Sequence, residues 1–466
     1  VERRTISFIA ISLAAILAGQ ALQAWLYPPR PQDTRPAAEE RVAEGDGQVA
    51  RPEDREATAA GPRPAVTADA PAADAALEPA VAAPRERRTL GSLDPADPAR
   101  MLVTLSSRGA AVERIELASE QFHDQDDRTG YLGHLAAETV AEGCRIGVVG
   151  PGTPAARAGL AAGDVIVRVA GSPAASVRSL VDILAATKPG QKVAIEVVRA
   201  GQSLALEAVL DRRPLEVVRP EFRGEPVADP DGDRHDPLSF ALAVDSRDGR
   251  RRGEDGSEIP GHELVDVDWE TEPVDGGVRF SRRLPGGLVV TKEYRLGADD
   301  AEAAGYHLDL LVTLQRGDAA AGEAVVAYAL DGPTGLPTEG WWYAQRVARD
   351  WSSLAVRDVA LRFVGEQTTL VSGLKIADQA LTHPASTVRD GKPLSFAGVD
   401  ALYFASALIP AATGPDAPAL AEVRPIAVAA PPAAARKKLV DVTPRLVSKE
   451  IPLAPGATVR HGYRIF

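Results

Sequence analysis

A single cysteine, Cys144, stands in 466 residues, which excludes a disulfide framework and any metal site made of several thiolates. The seven histidines are scattered singly. His262-Glu263 is followed by Asp266, where a zinc-protease His-Glu-x-x-His motif needs its second histidine. No Gly-x-Ser-x-Gly marks a serine nucleophile on a tight turn. Basic charge is in deficit, 52 Lys and Arg against 65 Asp and Glu, and the net charge of -13 argues against nucleic acid as a partner. Aromatic residues make up only 5%, so part of the chain does not pack as core. Two acidic stretches, His123–Asp127 and Asp229–Asp233, offer close carboxylates; the second has Phe240 where a helix–loop–helix calcium site needs its twelfth-position glutamate. Both are expected to be solvated loops. Trp341, Trp342 and Tyr343 are expected in a core, and Arg436-Lys-Lys438 on a solvated face. No catalytic residue, metal ligand or cofactor is assigned.

Long apolar runs are equally rare, with one exception. Ile6 to Tyr27 is a stretch of 22 residues without charge. At ~1.5 Å per residue it would span roughly 33 Å, enough for a bilayer core. Arg3 and Arg4 precede it, and Trp25 and Tyr27 lie where an interfacial aromatic belt would sit. A retained anchor is expected over residues 1–27, the rival being a cleaved signal peptide, whose apolar core would be shorter. Pro28 to Arg88 is built from Ala, Pro, Glu, Asp and Arg, and a disordered linker is expected over 28–99. Such a tether would reach on the order of 40–50 Å.

The densest pattern is Gly152-Thr-Pro-Ala-Ala-Arg-Ala-Gly-Leu-Ala-Ala-Gly-Asp164 followed by Val165–Ala170. Thr153 suits an N-cap and Pro154 the first helical position. Val165, Val167 and Val169 alternate as in a strand. Ser176 suits a second N-cap, with Val177, Leu180, Val181 and Leu184 at helical spacing until Lys188-Pro-Gly190. A hairpin of Val193–Val198 and Leu204–Leu210 follows, and Cys144 is expected to be buried at the start of a strand. This order resembles a PDZ domain, an α+β module expected over 131–211. Upstream, Gly130-Tyr131-Leu132-Gly133 is similar to the carboxylate-binding loop of bacterial PDZ domains. The resemblance implies that Gly130, Tyr131, Leu132 and Gly133 hold a peptide carboxylate through backbone N–H groups, with Ser179 and Ile183 of the second helix at the groove.

Around that insertion the pattern is strand-like. Met101–Ser107 and Ala111–Leu117 form a pair turning at Arg108-Gly109. Strands recur at Val278–Arg282, Leu288–Leu296, Tyr306–Leu314, Val325–Leu330, Leu361–Val364, Thr368–Ser372 and Ala401–Leu408, and Ala411–Ala435 is expected to be a loop. Alternation of period two with turns at short spacing predicts a mainly β protein, a sandwich over 100–130 and 212–466.

Glu2–Ala10, Ser107–Leu117, Leu288–Leu296, Tyr328–Gly340 and Val459–Phe466, taken in this order, resemble the N-terminal half of the YidC family of membrane protein insertases. That resemblance implies a mutarotase-like β-supersandwich in the periplasm, anchored in the bacterial inner membrane. It also implies the Sec translocon and nascent membrane proteins as partners. The five membrane helices on which insertion depends in that family do not follow Phe466 in this sequence. The alternative is a membrane-anchored PDZ protein binding peptides, as a chaperone or protease adaptor. A third reading is an enzyme using a mutarotase-like sandwich on sugars.

Overall fold

A computed structural model describes residues 83–119, 121–124, 127–222, 225–226, 237–253, 256–297, 305–338, 356–379, 392–428 and 440–466. The expected anchor, Asp229–Asp233, Trp341–Tyr343 and Arg436–Lys438 lie outside them. Among the described residues, no helix is long and apolar enough to cross a membrane.

The chain is mainly β with one small α+β insertion. β1 (Arg87–Gly91), β2 (Met101–Ser106) and β3 (Ala111–Leu117) pair antiparallel in that order. The β2–β3 turn falls at Arg108-Gly109, as the spacing predicts. β1 corrects the expectation of a linker to residue 99. Its charged Arg-Arg-Thr-Leu-Gly sequence hides it, and an edge strand tolerates that composition because only one side is paired.

After β3 the chain makes an excursion and returns. The excursion holds β4 (Glu138–Val140), β5 (Gly143–Arg145), α1 (Pro154–Arg157), β6 (Val165–Val169), β7 (Ser172–Pro173), α2 (Val177–Ala185), β8 (Lys192–Arg199) and β9 (Gln202–Val209). Its sheet runs β4-β5-β6-β8-β9, with β7 paired to β6. Thr153 caps α1, its Oγ1 accepting from Ala156 N, and Pro154 opens the helix. Asp164 accepts a two-pronged ion pair from Arg199 at 2.6 and 2.7 Å, closing the turn into β6. Leu132, Cys144, Ile146, Ile166, Leu180, Ile195 and Leu210 belong to a core separate from that of the rest of the chain. β10 (Glu216–Val218) then pairs with β3, and Leu117 N donates to Leu215 O at 3.0 Å, so the excursion starts and ends at one place.

The remaining strands build two antiparallel sheets. The larger runs Glu270–Val274, Gly277–Leu284, Leu288–Leu296, Leu308–Arg316, Thr458–Ile465, Ala405–Pro410, Leu394–Asp400, Asp358–Phe363 and Thr369–Val371. The other runs Arg250–Arg251, Leu242–Arg247, Ala324–Asp331, Val442–Ser448 and Leu420–Ala427, with Ile451–Leu453 also on Ala324–Asp331. Residues of both sheets and of β2 and β3 share one continuous core. Two expectations are corrected here. Leu420–Ala427 is a strand inside the stretch expected to be a loop; it is the last strand of its path, where Pro425 is tolerated. Ala401–Leu408 is not one strand, because the chain turns at 401–404 between Leu394–Asp400 and Ala405–Pro410.

A buried lysine laces β3's turn to the larger sheet. Lys292 has no exposed surface; its Nζ donates to Phe240 O at 2.5 Å and reaches Gly109 O at 3.5 Å, while Tyr294 donates to Ala110 O at 2.8 Å. Burial drives the Lys292 ammonium well below its usual 10.5. Between that lowered value and 10.5 the unfolded chain binds more protons than the folded one, so stability rises with pH across this window. Urea denaturation at pH 7, 8 and 9 should show the parent gaining on Lys292→Met by at most about 1.4 kcal/mol per pH unit. Parallel curves for the two proteins would contradict this assignment.

Candidate functional site

The site is the loop Gly130–His134, the edge of β4 and the facing helix α2. Gly130 is packed tightly: a Cβ there would meet Leu210 Cδ1 and Thr187 Oγ1, each at 2.5 Å. Tyr131 exchanges both backbone hydrogen bonds with Asp211, at 2.9 and 3.0 Å. Its N–H is therefore occupied, which corrects the expectation that Tyr131 helps hold a carboxylate. Leu132 is buried in the insertion's core, and its carbonyl accepts from Ala155 N at 2.8 Å. Gly133 takes φ +131°, where a side chain would be strained, and lies against Thr153. The N–H groups of Leu132, Gly133 and His134 have no protein acceptor among the described residues. Three successive free donors on a tight loop can take one carboxylate group.

β4 is the last strand on its side of the insertion's sheet, paired only with β5, so its outer edge is unpaired among the described residues. α2 starts against this strand, Val177 N donating to Thr139 Oγ1 at 3.1 Å. An extended peptide beside β4 would meet the free donors at the loop. Of the two helix residues expected at the groove, Ser179 is committed elsewhere. Its hydroxyl accepts from Ser176 N at 2.9 Å and donates to Ser176 O at 2.7 Å, completing a capping box. That spends its hydrogen-bonding capacity on the helix start. Ile183 is half-buried and packs against the insertion's core.

The loop's side chains point the other way, onto β3. Tyr131 is buried and its hydroxyl donates to Glu116, with the Arg213 guanidinium 5.0 Å from its ring centre. His134 Nε2 lies 2.9 Å from Glu113 Oε1, and Arg87 Nε donates to Glu113 Oε2 at 2.7 Å. Burial pushes the imidazole down and keeps it neutral at pH 7, so Nε2–H is the donor. Burial alone would raise the Glu113 carboxyl, but His134 and Arg87 hold it well below its usual range. Glu116 behaves oppositely: burial and the neighbouring Glu216 push it up to about 7. Glu216 in turn pairs with Arg114 of β3. None of these contacts was expected from sequence. The available signal is the run Val112-Glu-Arg-Ile-Glu-Leu117, which breaks strict alternation. Thr104 pairs with Arg114 and Leu105 with Val112, so Glu113 is an extra, bulged residue that turns toward the insertion.

Comparison with known proteins bears on the insertion. The PDZ domain family matches residues 121–210. Serine endoprotease DegS of Haemophilus influenzae is 34% identical over 88 residues, covering 18% of this chain and 26% of that protein. The periplasmic pH-dependent serine endoprotease DegQ of Escherichia coli is 34% identical over 95 residues, covering 19% and 21%. The chain thus spans about a quarter of the length of the curated relatives it matches. Among solved structures, a serine endoprotease from Yersinia pestis is 32% identical at a TM-score of 0.16, covering 18% of this chain and 30% of that one. A galactose mutarotase-like protein from Lactobacillus casei covers 81% of this chain and 99% of its own at 8% identity and a TM-score of 0.35.

These findings correct the insertase resemblance, and with it the Sec translocon and nascent membrane proteins as partners. The similarity found lies in the PDZ region, which is shared in part with two serine endoproteases. One of the motifs read as an insertase's, Leu288–Leu296, is a strand whose alternation is common to antiparallel sheets with one buried face.

Tyr131→Phe leaves the buried Glu116 without its donor and should cost about 1–3 kcal/mol in urea denaturation. Folded Glu116 keeps its proton up to about pH 7, whereas the unfolded chain releases it near 4.5, so this group's contribution to stability falls as pH rises between those values. Glu116→Gln should remove that decline; an unchanged pH profile would contradict the assignment.

Proposed function

We propose that this chain is a peptide-binding protein whose PDZ groove takes the free C-terminus of an extended polypeptide. The observation that carries the reading is the row of N–H groups at Leu132, Gly133 and His134, unpaired among the described residues, beside the edge of β4 that is likewise unpaired among them. The carboxylate would lie on these three donors, and the peptide backbone would add a strand along β4. Ile183 would supply apolar contact from α2. Gly130 and Tyr131 serve by shaping and bracing the loop, and Ser179 by capping α2.

The division of the chain is part of the proposal: an anchor over 1–27, a tether after it, and a mutarotase-like supersandwich interrupted by the PDZ unit. The uncharged run Ile6–Tyr27 supports a membrane tether, and the periplasmic designation of the DegQ relative favours placing the folded part outside the cytoplasm. The protein would hold polypeptide ends near a membrane surface, as a chaperone or a protease adaptor does.

Calorimetric titration against an immobilisation-selected C-terminal peptide tests this reading. The free acid should bind at least about tenfold more tightly than its C-terminal amide, since amidation removes the charge the loop is built to accept. Gly133→Pro, which deletes the central donor, should abolish binding. Equal affinity for acid and amide would overturn the carboxylate loop.

A further inference from the structure

Two arginines with almost no exposure converge beneath the turn Pro285–Gly287, far in sequence from the peptide groove. Arg247, 4% exposed, closes the strand Leu242–Arg247; Arg316, 5% exposed, closes Leu308–Arg316 in the other sheet. Gly286 lies between them with φ +69°, and a Cβ there would sit 2.5 Å from Arg247 Nη2 and 3.2 Å from Arg316 Nη1. His262, itself buried, accepts from Arg247 Nη1 at 2.6 Å and donates from Nδ1 to Pro260 O at 3.2 Å. The imidazole in this arrangement is neutral and brings no countercharge.

The negative charge at hand is small. Arg247 Nε is 3.4 Å from Asp248 Oδ2, and the Asp248 side chain is 47% exposed. Arg316 has no ion pair among the described residues. Its Nη2 donates to Ala321 O at 3.2 Å, while Nε and Nη1 are fully buried and have no hydrogen-bond partner among the described residues. Buried guanidinium donors left unbonded are rare, because removing them from water is unfavourable unless an acceptor replaces it. Arg316 Nη1 faces Gly286 alongside Arg247 Nη2, so an oxyanion held there can accept from both arginines. The turn Pro285–Gly287 beside it is only partly buried.

We propose that Arg247, Arg316 and the side-chain-free turn at Gly286 form a binding site for a small oxyanion of the phosphate or carboxylate class. The anion supplies the acceptor missing at Arg316 Nη1 and balances the Arg247–Arg316 repulsion. His262 is a positioning residue that orients the Arg247 fork. The site shares no residue with the peptide groove.

The test is a thermal-shift series and a calorimetric titration on the full chain with inorganic phosphate, at ionic strength held constant with chloride. Saturable binding is expected, with a melting temperature raised by roughly 3–6 °C at a hundredfold excess over Kd. Arg316→Gln should abolish the response. Arg316→Lys, which keeps a charge at the position and guards against loss of folding, should weaken phosphate binding at least about tenfold, with circular dichroism unchanged. No saturable binding by the parent, or an equal response in parent and Arg316→Lys, would overturn the site.

Discussion

Two carboxylates on one strand, Glu113 and Glu116 of β3, set how the PDZ unit and the β body meet. Both are almost without exposure, and each takes a side chain from the loop whose backbone faces the groove: His134 and Tyr131. The loop is thus gripped from behind by the same strand that leads into the insertion. Its donors cannot reorient without breaking buried, charge-assisted contacts, which are strongly unfavourable to leave half-made. The bulge at Glu113 makes the grip geometrically open to both side chains, since it turns the glutamate off the regular alternation.

Opposite environments then separate two chemically identical groups a few residues apart. Arg87 and His134 keep Glu113 ionised, whereas Glu116 shares a dry site with Glu216 and retains its proton nearly to neutrality. Lys292 extends the same logic to the body, where burial suppresses its charge and carbonyl groups take its remaining protons. In each place the neighbours decide the protonation state, and the residue type alone does not.

Much of the insertion was legible in its sequence because local chemistry dominates there. Thr153-Pro154, Ser176, Gly163-Asp164 and the alternating valines each specify a cap, a turn or a strand without help from afar. The strands Leu288–Leu296 and Ala324–Asp331 were equally visible through alternation. Edge strands escaped notice: β1 is charged and Leu420–Ala427 contains proline and alanine, both permitted where one side needs no partner. The site was half legible. The glycine-bounded loop announced itself, but which of its N–H groups are free depends on Asp211, eighty residues away. Ser176 was legible as the cap, but Ser179 looked available because a serine three residues into the helix is an uncommon reciprocal partner, where Glu or Gln is usual. The wider family resemblance failed for a related reason, since strand alternation records burial and little of ancestry.

The two ends of the PDZ excursion meet at one seam, where Leu117 N donates to Leu215 O and Glu216 pairs with Glu116 on neighbouring strands of one sheet. A host with such a seam needs nothing from its guest except that the guest's own termini lie close together. Loop-closure entropy grows only with the logarithm of length, so a turn of a few residues and a connection as long as the PDZ excursion differ by about 3 kcal/mol at this junction. The seam is therefore a place where evolution can graft or prune a recognition module while the surrounding architecture stays as it was.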